Sequence, residues 1–434
     1  MPTISNLIAD FLAAEAKAQT GIAEMHTAAQ TMIEQYLTPV NPSPIEPPPA
    51  VELPGDIVYS GTVYLNGDMS PLEIASKVSV APAATKFVCR GDLGTIRIGG
   101  RDGDYPGKMN EVCFRENLSP LRGMTFIAED DFTGKLSGLH LHNSHGGFDK
   151  IVFDGFHITP AQDGARAAVH CEENFDDEML KGGQLGLLNC GIYAPDHWTS
   201  YYGYGYKQGI IMRESCLFAR NVNFLSPPKE HPFYLHNMMG SSHIQKVDVM
   251  TKTLKILGTD ILVETGPGRT LAQVQERRTD GEESYGDITF EDMRVSLCCA
   301  ESVVAGKKAS GGSALTVGGH RGTVRYKDIH IDRPMTNGVV AVWRERESDG
   351  TPKGFRDPSV DRIEMENISW VPYLGEYAAN RTAIKISSAG SVWADMVGHG
   401  GSFIADPWNS AFVRLNADAL PGDHFLTPDD VQWG

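Results

Sequence analysis

Between residues 150 and 370 an apolar–polar alternation returns in short phrases. They read IVFDGFHI (Ile151–Ile158), LGLLNCGI (Leu185–Ile192) and LFARNVNF (Leu217–Phe224), then IQKVDVMT from Ile244, ITFEDMRV from Ile288, VRYKDIHI from Val324 and IEMENISW from Ile363. Aligned on the fifth position they form a column of Gly155, Asn189, Asn221, Asp248, Asp292, Asp328 and Asn367. An apolar residue stands four places before each and another one place after. The alternation predicts a half-buried strand. The glycine, amide or acid that follows predicts a bend, because these residues tolerate dihedrals that others resist. Asn and Asp stacked at one bend can also hydrogen-bond along the stack.

The column residues are 34, 32, 27, 44, 36 and 39 residues apart. A loose period in that range, with a strand phrase in each unit, predicts a stacked solenoid. A second strand follows each phrase: AAVHCEEN, GIIMRES, FYLHNMM, DILVETG, ALTVGG, VVAVWRE and AIKISS. Two strands per coil are legible, and a third is expected to be short.

Upstream, residues 3–37 read as one helix capped by Thr3 or Ser5. Its apolar stripe runs through Ile4, Leu7, Phe11, Ala14 and Ala18, then resumes at Ile22, Met25, Ala29, Met32 and Tyr36. Such a helix serves oligomerisation or docking through Ile4, Leu7, Phe11, Ile22, Met25 and Met32, or folds back on its own domain. Pro39–Gly55 is proline-rich and predicts a stiff spacer. The expected organisation is a helix over 1–38, a linker over 39–55, a cap with irregular first coils over 56–148, stacked coils over 149–390, and a C-terminal cap over 391–434. Within the cap region Ser70–Val78 reads as one capped helix.

The repeat resembles the right-handed, single-stranded parallel β-helix of pectin-lyase-like proteins. That resemblance implies an all-β fold carrying an N-terminal α-helix and a proline-rich linker. It lies in the repeat and not in any catalytic motif of that superfamily.

Composition narrows the partners. The chain has 434 residues and a formal net charge of −17. This argues against nucleic acid and anionic lipid, both of which need a basic face. An acidic polysaccharide held by a local basic cluster stays open. No stretch is long and apolar enough for a membrane span, and the N-terminus lacks the basic and apolar regions of a signal peptide. Seven cysteines show no metal spacing and read as buried free thiols.

Three groupings could carry chemistry. Trp198, Tyr201, Tyr202 and Tyr204 crowd a glycine-rich loop, and with Arg213 they suit sugar rings or a protein surface. The ends of the second strands place Glu173, Glu214, His236 and Glu264 at one edge of successive coils. Carboxylates one or two coils apart bracket the spacings of retaining and inverting glycosidases, while a lyase would need a base with a cation beside it. Solvated edge acids are the plainer reading of the same residues. The histidines at 140, 142 and 145 and the acidic run Glu172–Glu178 lack convincing ligand order, so neither a metal nor a cofactor is expected.

The missing signal peptide, association helix, spacer and β-helix body together resemble phage tailspikes and head-fibre or decoration proteins. The resemblance implies a virion protein made in the host cytoplasm, a homotrimer, attachment to other virion proteins through residues 1–50, and contact with host polysaccharide. The alternative is a polysaccharide lyase or glycoside hydrolase, and an enzyme of that kind can also sit on a virion.

Overall fold

A computed structural model describes residues 58–96, 123–142, 150–172, 183–195, 205–255, 262–276, 284–298, 313–334, 338–342, 360–370, 384–386, 389–398, 413–415 and 431–433. The chain divides into two units, Met1–Leu53 and Pro54–Gly434. The expected N-terminal helix, with Ile4, Leu7, Phe11, Ile22, Met25 and Met32, and nearly all of the proline-rich linker belong to the first unit and lie outside the described residues.

The second unit is built from parallel strands stacked in coil order. The first sheet runs from Gly61–Asn66 through Thr85–Arg90, Met124–Ala128, Lys150–Asp154, Gly183–Leu188, Ser215–Phe224, Ser242–Val249, Ile288–Cys298, His320–Pro334, Val360–Trp370 and Ala389–Gly398 to Val431–Trp433. The second sheet stacks Leu139–His142, Ala165–Glu172, Tyr206–Arg213, His231–His236, Ala272–Gln275, Ser313–Val317, Gly338–Val342, Ile384–Ile386 and Val413–Leu415. The short third strands appear in the early coils as Thr95–Ile96, Lys135–Ser137, His157–Thr159 and Gly191–Ile192. From Ser215–Phe224 onward one strand runs unbroken through the bend and absorbs them. The fold is therefore solenoid-like, and its connectivity alternates between the two sheets.

Inward positions follow from the alternation. Phe87, Phe126, Phe153, Leu187, Ala219, Ile244, Phe290, Tyr326 and Met365 are register partners through successive coils, and all of them are buried. Phe87 stacks on Phe126 at 4.7 Å and Phe126 on Phe153 at 5.1 Å. Equal strand spacing places like side chains one above another, so aromatic stacking repeats along the axis. The outward face of the same sheet is polar in the later coils. There Lys327 lies between Glu291 and Glu366, and Glu364 meets both Arg325 and Arg362.

The bend column is left-handed. Gly155, Asn189, Asn221, Asp292, Asp328 and Asn367 all take positive φ, between 49° and 81°. The side chains bond along the stack as their chemistry allows: Asn189 Nδ2 donates to Asp154 Oδ1 at 2.8 Å, Asn221 Nδ2 to Asn189 Oδ1 at 2.8 Å, and Asn367 Nδ2 to Asp328 Oδ1 at 2.7 Å. One position differs from the sequence alignment. The residue in register with Asn221 and Asp292 is Lys246, with φ 55°, and not Asp248, which pairs with Asn223 and Arg294. A slip of two residues keeps every side chain on its face, so the apolar pattern of IQKVDV cannot reveal it.

A glycine ladder precedes the first-sheet strands. A Cβ at Gly286 would lie 2.3 Å from the Gly240 backbone, and one at Gly322 would lie 2.3 Å from the Gly286 carbonyl oxygen. At the N-terminal end the helix Pro71–Ser79 carries a capping box between Ser70 and Glu73 and buries Ile74 and Val78. Cys89, Cys171, Cys190 and Cys216 are buried thiols outside any disulfide. Desolvation pushes the Cys89 and Cys190 thiols up to about 12, as expected of core thiols.

The bend column yields a direct test. Asn221→Ala loses its bond to Asn189 and puts an alanine in left-handed backbone, with an expected loss of about 1–3 kcal/mol. Lys246→Asn restores a residue suited to that backbone and extends the ladder, with an expected gain of about 0.5–1 kcal/mol. Chemical-denaturation midpoints of both variants should move in opposite directions.

Candidate functional site

The outward face of the second sheet is a row pattern set by register. Phe233 and Leu235 point into the core, so Tyr234 and His236 point out. One outward row holds His170, Ile211, Tyr234 and Gln273 in successive coils, with the His140 backbone in register before them. The next holds Arg213, His236 and Gln275, with the His142 and Glu172 backbones in register before them. Ile211 and Tyr234 form a buried cluster with Ala167, separate from the main core. His231 stacks on Tyr234 at 5.0 Å, and Tyr234 meets His236 edge-on at 3.7 Å. His236 is fully buried. It therefore cannot touch a ligand in this conformation.

Glu214 forms the corner at the end of this row. The chain passes from the second-sheet strand Tyr206–Arg213 to the first-sheet strand Ser215–Phe224 through this one residue. Glu214 takes φ 52°, and its backbone N–H donates to the Asn237 carbonyl oxygen at 3.1 Å. Asn237 has φ 43° and its N–H donates to Gln275 O at 3.1 Å. The corner column is thus Glu214, Asn237, Glu276, and then Gly319, whose added Cβ would meet Glu276 Cβ at 2.7 Å. Asparagine and glycine suit left-handed backbone, whereas glutamate carries strain there. One carboxylate oxygen of Glu214, Oε2, is buried without a hydrogen-bond partner among the described residues.

Of the residues expected at this edge, the structure brings Arg213, Glu214 and His236 together. Glu264 is elsewhere. It pairs with Thr253 in an antiparallel hairpin between Lys252–Lys255 and Leu262–Thr265, apart from both parallel sheets. The strand that continues the coil is Ala272–Gln275, so Glu276 occupies the place assigned to Glu264. The signal was present: AQVQE aligns with FYLHN and IIMRE. DILVET alternates equally well, and alternation alone does not separate a parallel strand from a hairpin arm. Glu173, Trp198, Tyr201, Tyr202 and Tyr204 lie outside the described residues.

Sequence reasoning also missed a polar corner where the second sheet begins. Glu230 is buried there, with Lys207 Nζ at 3.6 Å and Arg269 Nη2 at 3.5 Å from its Oε1. Beside it, the His231 and Thr270 side chains bond through Nδ1 and Oγ1 at 2.6 Å. Burial first, and then Arg269 and Lys207, push the His231 imidazole down to about 3. Among the described residues no three or more His, Cys, Asp or Glu side chains are placed to hold a metal ion. No described helix is long and apolar enough to cross a membrane.

Comparison with protein-family models, with curated proteins and with solved structures returned no match. The class defined so far is that of a solenoid-like stack of parallel strands with a strained carboxylate at one corner.

The lowered His231 value has a signed consequence. Below the ordinary histidine pKa of about 6.5 the unfolded chain takes up a proton that folded His231 refuses. Stability therefore falls as pH drops from 6.5 toward about 3. His231→Asn should flatten the dependence of melting temperature on pH across that window, whatever its effect on the absolute value.

Proposed function

We propose that this chain is a virion-borne appendage protein, a right-handed parallel β-helix of the pectin-lyase-like kind that contacts host-surface glycan. In this reading residues 1–50 attach it to other virion proteins, and it assembles as a homotrimer. The stacked parallel coils support the fold assignment. The glycan contact rests on one observation: half-exposed Glu214 sits in left-handed backbone beside half-exposed Arg213. A carboxylate next to a guanidinium offers acceptor and donors to sugar hydroxyls. The aromatic residues Trp198, Tyr201, Tyr202 and Tyr204 would supply the stacking surface.

A second reading, cleavage of that glycan, is favoured by the corner column. Glu214 and Glu276 lie two coils apart, roughly 10 Å at about 4.8 Å per coil. Side chains leaning toward each other across Asn237 enter the roughly 6.5–9.5 Å range of inverting hydrolases. A lyase would use Glu214 differently, as the base that removes a proton beside a uronate carboxylate, with Arg213 to stabilise the charge that develops.

The full chain should bind a bacterial surface polysaccharide, with cleavage followed by reducing ends for a hydrolase or by ultraviolet absorbance for a lyase. Glu214→Asn relieves the corner strain and should raise the melting temperature while weakening binding by about tenfold, or about 1.4 kcal/mol. Cleavage that disappears in Glu214→Gln with binding retained identifies the enzyme, and binding without cleavage identifies a contact protein. A chain that neither binds nor cleaves any such glycan overturns both readings.

Light scattering tests the assembly. A trimer is expected for the full chain, and loss of the trimer in a chain beginning at Val51 places association in the N-terminal segment. A monomer in both counts against an appendage.

A further inference from the structure

The start of the second sheet carries a line of cations apart from the corner column. Backbone bonds set its register. Lys229 N–H donates to Tyr206 O, Glu230 N–H to Lys207 O, Gly268 N–H to Lys229 O and Arg269 N–H to Glu230 O. Tyr206 pairs with Ala165 and Gln208 with Ala167, which places Arg166 beside Lys207. One row across four coils is therefore Arg166, Lys207, Glu230 and Arg269.

The single carboxylate in that row is sunk. Glu230 is 5% exposed, while the Lys207 and Arg269 side chains keep 38% and 58% of their surface open. Both cations meet the same oxygen, Oε1, and the other oxygen is turned to the Gln208 amide at 3.5 Å and toward His231 Nε2 at 3.9 Å. Glu230 thus holds the two cationic heads from below and cancels one of the row's three positive charges. Arg166 is exposed. Lys229 precedes Glu230 by one residue and Asp163 precedes Arg166 by three, both just before their strands. His231 stays neutral beside the row and adds nothing to it. In formal charge the row's own four residues, three cations and one carboxylate, are net positive on a chain whose formal charge is −17.

We propose that this row is a ledge for the carboxylate or sulfate groups of an acidic glycan, with Arg166, Lys207 and Arg269 as the contacts and Glu230 as the positioning residue. It rests on the reading that the chain contacts glycan, and it names the chemical class. Stacking spaces the cations by about 4.8 Å between adjacent coils and about 10 Å across Glu230. A polymer bearing charges at intervals engages several such cations at once, so modest single contacts sum along it. Nucleic acid suits the ledge less well. Binding it typically means neutralising about six to ten phosphates on a basic face, and here a short line of three sits in a strongly acidic chain.

The test uses the full chain at low and moderate salt. The probes are polygalacturonate, dextran sulfate, neutral dextran and a single-stranded oligodeoxynucleotide, with affinity read by calorimetry. Polygalacturonate or dextran sulfate should bind with clear salt dependence, and neutral dextran should not show it. Whichever acid group binds more tightly distinguishes a uronate from a sulfate ligand.

Arg166→Glu changes an exposed side chain, and it should weaken binding by about tenfold. The triple variant Lys207→Gln, Glu230→Gln, Arg269→Gln removes the cations without leaving a buried charge, and it should abolish measurable binding. If the triple variant fails to fold, Arg166→Glu alone decides the matter. Unchanged affinity in a folded variant overturns the ledge, as does an oligodeoxynucleotide that binds as tightly as the acidic glycans. A chain that binds a neutral surface glycan but neither acidic probe loses the ledge and keeps the proposed function. A chain that binds no glycan at all loses both.

Discussion

Every coil in this chain depends on backbone hydrogen bonds to the coils above and below it. A parallel strand has no local partner for its N–H and C=O groups, so no coil is satisfied alone. The bonding demands that successive coils return to the same place with the same corner. That requirement explains why left-handed residues form columns, why Gly240, Gly286 and Gly322 stack where no Cβ fits, and why ring sits on ring along the interior. It also explains why helix Pro71–Ser79 covers the first coil, where the core would otherwise open to water.

The same constraint makes departures informative. At a corner that suits glycine, asparagine or aspartate, other residues carry strain. Lys246 is exposed and explained by nothing beyond its place in the bend column. Glu214 differs, because its carboxylate turns partly inward next to Arg213 and above buried His236. The Lys207–Glu230–Arg269 corner shows the converse arrangement, a buried carboxylate balanced by cations whose heads reach the surface. The two sites lie at opposite ends of the second-sheet strands, so a ligand lying across that face would meet both.

Much of the fold was legible. The apolar alternation located the first-sheet strands, and the column of Gly, Asn and Asp marked the bends, because only a few residue types accept that backbone. Legibility failed where two local patterns were equally good. IQKVDV carries the same faces at either register, so Asp248 stood in for Lys246. DILVET alternates as well as LAQVQ, so Glu264 stood in for Glu276. The corner at Glu230 was invisible because its members come from strands scattered along the sequence, each polar for no local reason.

The amino-acid sequence by itself determined that the chain repeats, where it bends and which side chains face inward, since these follow from period-two burial and single-residue backbone preferences. Only the tertiary structure decided which strand lies on which, and therefore which charges meet. Register between coils is set by hydrogen bonds and packing between residues 20 to 48 positions apart in sequence, and no local pattern encodes a contact over that distance.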